Sequence, residues 1–207
     1  MKKVLFVIIV IVFLCICLFK DYKSRIKDVQ IVSRCPPTVY LQPCNNFKET
    51  EAKKLVVPIS KVLKEITDLD LIIEVLPSKI LSDSLKNESN TRYRADKIIH
   101  SYPDNPHDAV ILLTHDDISC SRAGKKDWGV LGFAIRPKHV CIASDFRLKD
   151  KNRDFWKVAI HELVHSFFNL PHCTNNDSSC IMQDARGHAE LSHKNHLCAS
   201  CKLKCHI

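Results

Sequence analysis

In the segment His161-Glu162-Leu163-Val164-His165, two imidazoles stand four residues apart with a carboxylate beside the first. On a helix that spacing places both rings on one face, a turn apart, where each can aim a nitrogen at one metal ion. Glu162 then sits next to the ion without binding it, positioned to take a proton from a metal-activated water and pass it to a leaving amine. The chemistry this pattern encodes is zinc-dependent hydrolysis of a peptide bond. A third protein ligand is required, and His172 is the nearest candidate. Were the histidines only core residues, Glu162 would be buried without a partner, which is costly. A metal removes that conflict.

The flanking sequence must supply the helix. Residues 153–168 contain neither Gly nor Pro, and Trp156, Ile160, Leu163, Val164 and Phe167 recur at helical spacing. Asn152 is the expected N-cap. Asn169, which tolerates the left-handed conformation, and Pro171, which cannot continue a helix, predict a stop just before His172.

A second set of ligands follows. Cys173, Cys180, Cys198 and Cys201, the last two as Cys-x-x-Cys, suit a closed tetrahedral zinc site. Such a site would organise a tail of about forty residues that is too poor in large apolar side chains to fold alone. Disulfide pairing is the competing reading, favoured by any extracytoplasmic location. Cys205 has no assignment. Met182 comes two residues after Cys180; a lone Met is ordinarily core filling, but one placed here also fits the Met-turn of metzincins.

In the order His-Glu-x-x-His, His-Cys, Cys-x-Met, Cys-x-x-Cys, the segment resembles the archaemetzincins, small metzincin-type zinc peptidases, over roughly residues 38–201. The resemblance implies a catalytic zinc on His161, His165 and His172, Glu162 as general base, and a structural zinc on Cys173, Cys180, Cys198 and Cys201. It also implies Met182 as the turn beneath the site, and two zinc ions per chain. One departure stands out. Phe168 occupies the position of the family's Gly, and His172 comes one residue late, so the turn must bulge if His172 is to point at the metal. Asn169 can supply the positive φ that Gly would provide.

The remaining chain bounds the architecture. At 207 residues and 45% hydrophobic content, one domain of ordinary size plus an N-terminal extension is expected. Residues 4–19 form an unbroken apolar run between Lys2, Lys3 and Lys20, Lys23, Arg25, Lys27. This run predicts a signal or membrane anchor, uncleaved because no small-x-small site follows, with a lipoprotein through Cys15 or Cys17 as the alternative and the side of the membrane left open. The net charge of +8 is interleaved with carboxylates and reads as a solvated face, with no nucleic-acid partner expected.

Between anchor and active helix, strands are expected at 38–42, 71–76, 109–114, 129–135 and 140–144, and helices at 49–66 and around 94–100. This alternation predicts an α/β (α+β) fold, a mixed and mostly parallel sheet packed on helices with a zinc-bearing C-terminal segment. The family likeness makes 129–135 its antiparallel edge, able to accept a peptide as an added strand. The expected organisation is an anchor with basic flank at 1–27, a linker at 28–37, and a metzincin-like domain at 38–207 divided at 170/171. Cys35 and Cys44 are too far apart along an extended strand to pair. Cys120 and Cys141 read as buried or unpaired thiols, and His188, His193 and His196 as surface residues. The functional expectation is a zinc metallopeptidase of endopeptidase or aminopeptidase type. The alternatives are a membrane-tethered, zinc-stabilised binding module disabled by the altered turn, and a disulfide-bonded surface protein.

Overall fold

The computed structural model describes residues 36–205 apart from 104 and 187. Its elements in chain order are β1 (Thr38–Pro43), α1 (Glu49–Ile66), β2 (Ile72–Val75), β3 (Tyr93–Arg94), α2 (Ala95–His100), β4 (Ala109–Thr114), β5 (Ile118–Arg122), β6 (Lys125–Val130), β7 (Gly132–Ala134), β8 (Val140–Ser144), α3 (Lys151–Phe167) and α4 (Ala199–Cys205).

The main sheet has the order β2-β1-β4-β8-β7, with β7 antiparallel to β8 and every other pair parallel. Its central strands are apolar at almost every position because both faces are covered. Ala109, Ile111 and Leu113 of β4 and Cys141 and Ala143 of β8 join the core formed with α1 and α3. The alternate residues Leu112, Val140 and Ile142 pack on the opposite side with Ile98 and Ile99 of α2 and Ile118 of β5. This alternation is the two-residue period of a strand.

A smaller sheet, β3-β5-β6, flanks the main one. Its β5–β6 hairpin turns through Ala123 and Gly124, both at positive φ (48° and 77°), the geometry of a two-residue hairpin loop.

Two expectations are corrected. The strand expected at 129–135 divides: Gly129 and Val130 belong to β6, and only Gly132–Ala134 forms the antiparallel edge. Chain direction changes at Leu131, whose carbonyl accepts from the Ser144 N–H at 2.7 Å. The membrane-anchored or exported placement is likewise corrected, as it finds no support: among the described residues no helix is long and apolar enough to cross a membrane. Residues 4–19, Cys15, Cys17, Cys35 and the linker up to residue 35 lie outside the described residues.

Candidate metal centres

Helix α3 is capped by Asp150, not Asn152: the Asp150 side chain accepts from the Arg153 N–H at 3.0 Å. A carboxylate here also meets the positive end of the helix dipole, which an amide would not. Ile160, Leu163, Val164 and Phe167 are buried as their spacing requires. One turn in, the fully buried Asp154 receives Lys157 Nζ at 2.8 Å and the Arg153 guanidinium at 2.8 Å. Lys157 Nζ also donates to the Leu191 carbonyl at 2.8 Å, and Arg153 pairs with Glu190 at 2.6 Å. The helix is thereby tied to the segment that follows the Met182 turn.

At the other end, α3 stops at Phe168 and Asn169 adopts φ 53°. The Leu170 N–H reaches back to the Val164 carbonyl at 3.3 Å. That closure is one residue wider than the six-residue one at a glycine-stopped helix, which is how the inserted residue is absorbed.

The chain then returns His172 toward α3. Its ring centroid lies 5.2 Å from that of His161 and 4.7 Å from that of His165. One nitrogen from each of the three rings lies within 4.8 Å of the others. The Cys173 N–H donates to the Met182 carbonyl at 2.8 Å, so the buried Met182 turn fixes the backbone that carries His172.

The tautomers of two of these rings follow from their partners. His161 Nδ1 lies 2.7 Å from the Ile181 carbonyl oxygen, and His165 Nδ1 2.5 Å from that of Leu170. A carbonyl oxygen only accepts, so both Nδ1 atoms carry hydrogen and both Nε2 atoms present lone pairs. Those two Nε2 atoms are 3.0 Å apart. Facing lone pairs at that distance repel unless a cation lies between them. A proton is disfavoured, because burial, with a contribution from neighbouring imidazoles, pushes His161 down to about 3 and His165 down to about 4. Zinc–nitrogen bonds of about 2.0–2.1 Å in a tetrahedron separate two ligand nitrogens by roughly 3.3 Å, so the donor set fits that ion.

Glu162 is buried against β7. A Cβ at Gly132 would lie 2.5 Å from Glu162 Cγ and 2.7 Å from Oε1, so only glycine lets the edge strand pass here. Burial, reinforced by the nearby Asp184 charge, pushes Glu162 up to about 8. A cation at the three imidazoles would draw it back down.

The four cysteines also converge. Cys173 and Cys198 sulfurs are 3.7 Å apart, and those of Cys180 and Cys201 are 3.9 Å apart. A disulfide needs about 2.05 Å, whereas the corners of a zinc–sulfur tetrahedron with 2.3 Å bonds are about 3.8 Å apart. The competing disulfide reading of these four is thus not met. Cys198 and Cys201 are brought to the cluster by α4, with Cys201 in its first turns. The Cys198 N–H donates to Cys180 Sγ at 3.3 Å and Asn175 Nδ2 to Cys198 Sγ at 3.5 Å, contacts that favour thiolate. Lys194, buried, donates to the Cys180 and Gln183 carbonyls at 3.3 and 2.8 Å. Cys205 is a buried free thiol pushed up to about 11 by desolvation. Cys44, Cys120 and Cys141 are likewise buried and free.

No family model matches the sequence, and no curated protein does. Solved structures do. The archaemetzincin from Archaeoglobus fulgidus complexed with malonate superposes with a TM-score of 0.61 at 24% identity, over 81% of this chain and 99% of that one. The archaemetzincin from Methanopyrus kandleri gives 0.65 at 19% identity, over 84% and 97%. The fold is that of the archaemetzincins. Measured against that archaemetzincin fold, the mostly parallel sheet with its antiparallel edge is as expected from sequence.

A cavity of about 900 Å³ runs between β7 and the histidine cluster, lined by Gly132–Ala134, the three histidines and Glu162. Sequence reasoning missed Gly132, Asp184 and Lys194. Only Gly132 carried a signal, being one of four glycines in the chain and set among strand-forming residues. His188 and His193 are exposed, and His196 is engaged with Asp177 at 2.9 Å.

Proposed function

We propose that this chain is a zinc metallopeptidase, with catalytic zinc on His161, His165 and His172 and structural zinc on Cys173, Cys180, Cys198 and Cys201. Residues 38–207 form the peptidase unit, divided at 170/171. The observation that carries this reading is the pair of Nε2 lone pairs 3.0 Å apart, each ring held in that tautomer by a backbone carbonyl. Zinc held by the three histidines would supply Lewis acidity, lowering the pKa of a bound water to about 7 and polarising the scissile carbonyl. Glu162 removes the water's proton and returns it to the departing amine. The free edge of β7 pairs with the substrate backbone, holding the peptide extended across the cleft. The Met182 turn carries the Ile181 carbonyl that orients His161. The His172 nitrogen lying within 4.8 Å of those of His161 and His165 favours the peptidase over an inert binding module.

Metal analysis of the purified full chain tests this reading, with two zinc expected for wild type and for Glu162→Gln, and one for His172→Ala. A peptide-library digest should show cleavage by wild type and at least a hundredfold loss in Glu162→Gln. Full activity in Glu162→Gln, or no zinc lost in His172→Ala, would overturn the assignment.

A further inference from the structure

We propose that Arg136 is the anion-recognising residue of the cleft, selecting peptides with a carboxylate side chain on the N-terminal side of the bond to be cut. The inference rests on the peptidase reading and deepens it.

Five cations line the cavity: Arg122, Arg136, Arg147, Lys157 and Lys194. Four of them are engaged. Arg122 pairs with Asp184 at 3.2 Å, and Arg147 holds Asp117 through two contacts of 2.6 and 2.7 Å. Lys157 is spent on buried Asp154, and Lys194 on two backbone carbonyls. Arg136 is exposed and, alone of the five, has no hydrogen bond or ion pair among the described residues. The carboxylates on the same wall are Glu162, which the chemistry occupies, and Asp184, which Arg122 neutralises. The cleft therefore presents one positive charge that is both exposed and unengaged. It lines the same cavity as the three histidines.

Position gives the charge a subsite. Arg136 follows the edge strand by two residues, and Gly132, at the start of that strand, abuts Glu162. A peptide added antiparallel to β7 runs from the Arg136 end toward the Gly132 end. The residue facing Arg136 therefore precedes the one at Glu162, by up to about four positions at about 3.3 Å per residue. A planar guanidinium recognises a carboxylate there by a paired, charge-assisted fork, which lysine would not reproduce.

The test uses the zinc-loaded full chain in two assays. In a proteome-derived peptide digest read by mass spectrometry, wild type should favour Asp or Glu within four residues N-terminal to the cut. Arg136→Ala should lose that preference, and Arg136→Glu should shift it toward Lys or Arg, with zinc content and melting temperature unchanged in both. In a binding assay on Glu162→Gln, a fluorescent peptide with Glu at that position should bind about tenfold tighter than its Ala counterpart, a gap that closes in the Arg136→Ala background. If Arg136→Ala folds poorly, Arg136→Lys serves, and should bind the Glu peptide more weakly than wild type while keeping some preference. Wild type with no acidic preference, or Arg136→Ala that retains it, overturns the proposal while leaving the peptidase intact. Acidic preference in binding with no cleavage of any peptide overturns the peptidase reading and leaves the anion subsite standing.

Discussion

Gly132 does as much for the site as the ligands do, by being absent where a side chain would stand. Glu162 fills the space next to its Cα, so Gly132→Ala must push the carboxylate or the edge strand aside. Displacement of a reacting group by about 1 Å can cost a hundredfold in rate. We expect Gly132→Ala to lower kcat/KM by ten- to a hundredfold while binding two zinc ions, measured by steady-state cleavage beside metal analysis. Unchanged turnover would show that Glu162 has room to move. At this scale the sequence was most legible where chemistry demands a fixed spacing: His161, Glu162, His165 and the four cysteines could be picked out by number alone. His172 was harder, because whether an inserted residue bulges or misdirects is decided by the φ of Asn169 and the Leu170–Val164 closure, both products of packing. Arg136 and Lys194 were invisible, since a cation's significance depends on which carboxylates fold up beside it.

Helix α3 carries His161, Glu162 and His165, and the buried Asp154–Lys157 pair with the Leu191 carbonyl fastens its first turns to the C-terminal segment. Removing one member of a buried pair leaves the other uncompensated, at about 3–5 kcal/mol. Asp154→Ala should therefore lower the unfolding free energy by that amount in a urea melt, and Asp154→Leu combined with Lys157→Leu should recover much of it. Equal melts for the single and double variants would mean the pair is not coupled. The long elements were foreseeable because period governs them: α1, β4 and β8 fall where alternation or helical spacing puts them. Two were not. The β5–β6 hairpin has an exposed outer strand, Lys125–Val130, with little hydrophobic pattern. Helix α4 is only seven residues long and is held by its cysteines, a tertiary cause that local sequence does not display.

For the molecule as a whole, acid should act on groups that folding has shifted. The ordinary histidine value is 6.5, whereas in the fold His161 and His165 stay neutral down to about 3 and 4. Below about pH 6.5 the unfolded metal-free chain therefore binds protons that the folded one refuses, and stability declines as pH falls. Asp154, held at about 2 by Arg153 and Lys157, adds a contribution present above its ordinary 3.8 and lost as pH falls toward 2. Glu162, pushed up to about 8, opposes this by holding a proton that the unfolded chain gives up above its ordinary 4.5, so the melting temperature of the chelated protein should fall from about pH 6 to pH 4, by less than the two rings alone would give. A flat profile would contradict the burial of these rings. Chelation at pH 7 should itself lower the melting temperature, and Cys201→Ser should do so more than His172→Ala, because the thiolates tie α4 to the remainder. Neighbouring residues His172 and Cys173 belong to different clusters, and their shared peptide hydrogen-bonds to the Met182 turn. On the two-metal reading this adjacency couples the two ions. An imidazole and a thiolate carried on one peptide cannot shift independently, so emptying the sulfur site should also slacken the grip of the three rings on theirs.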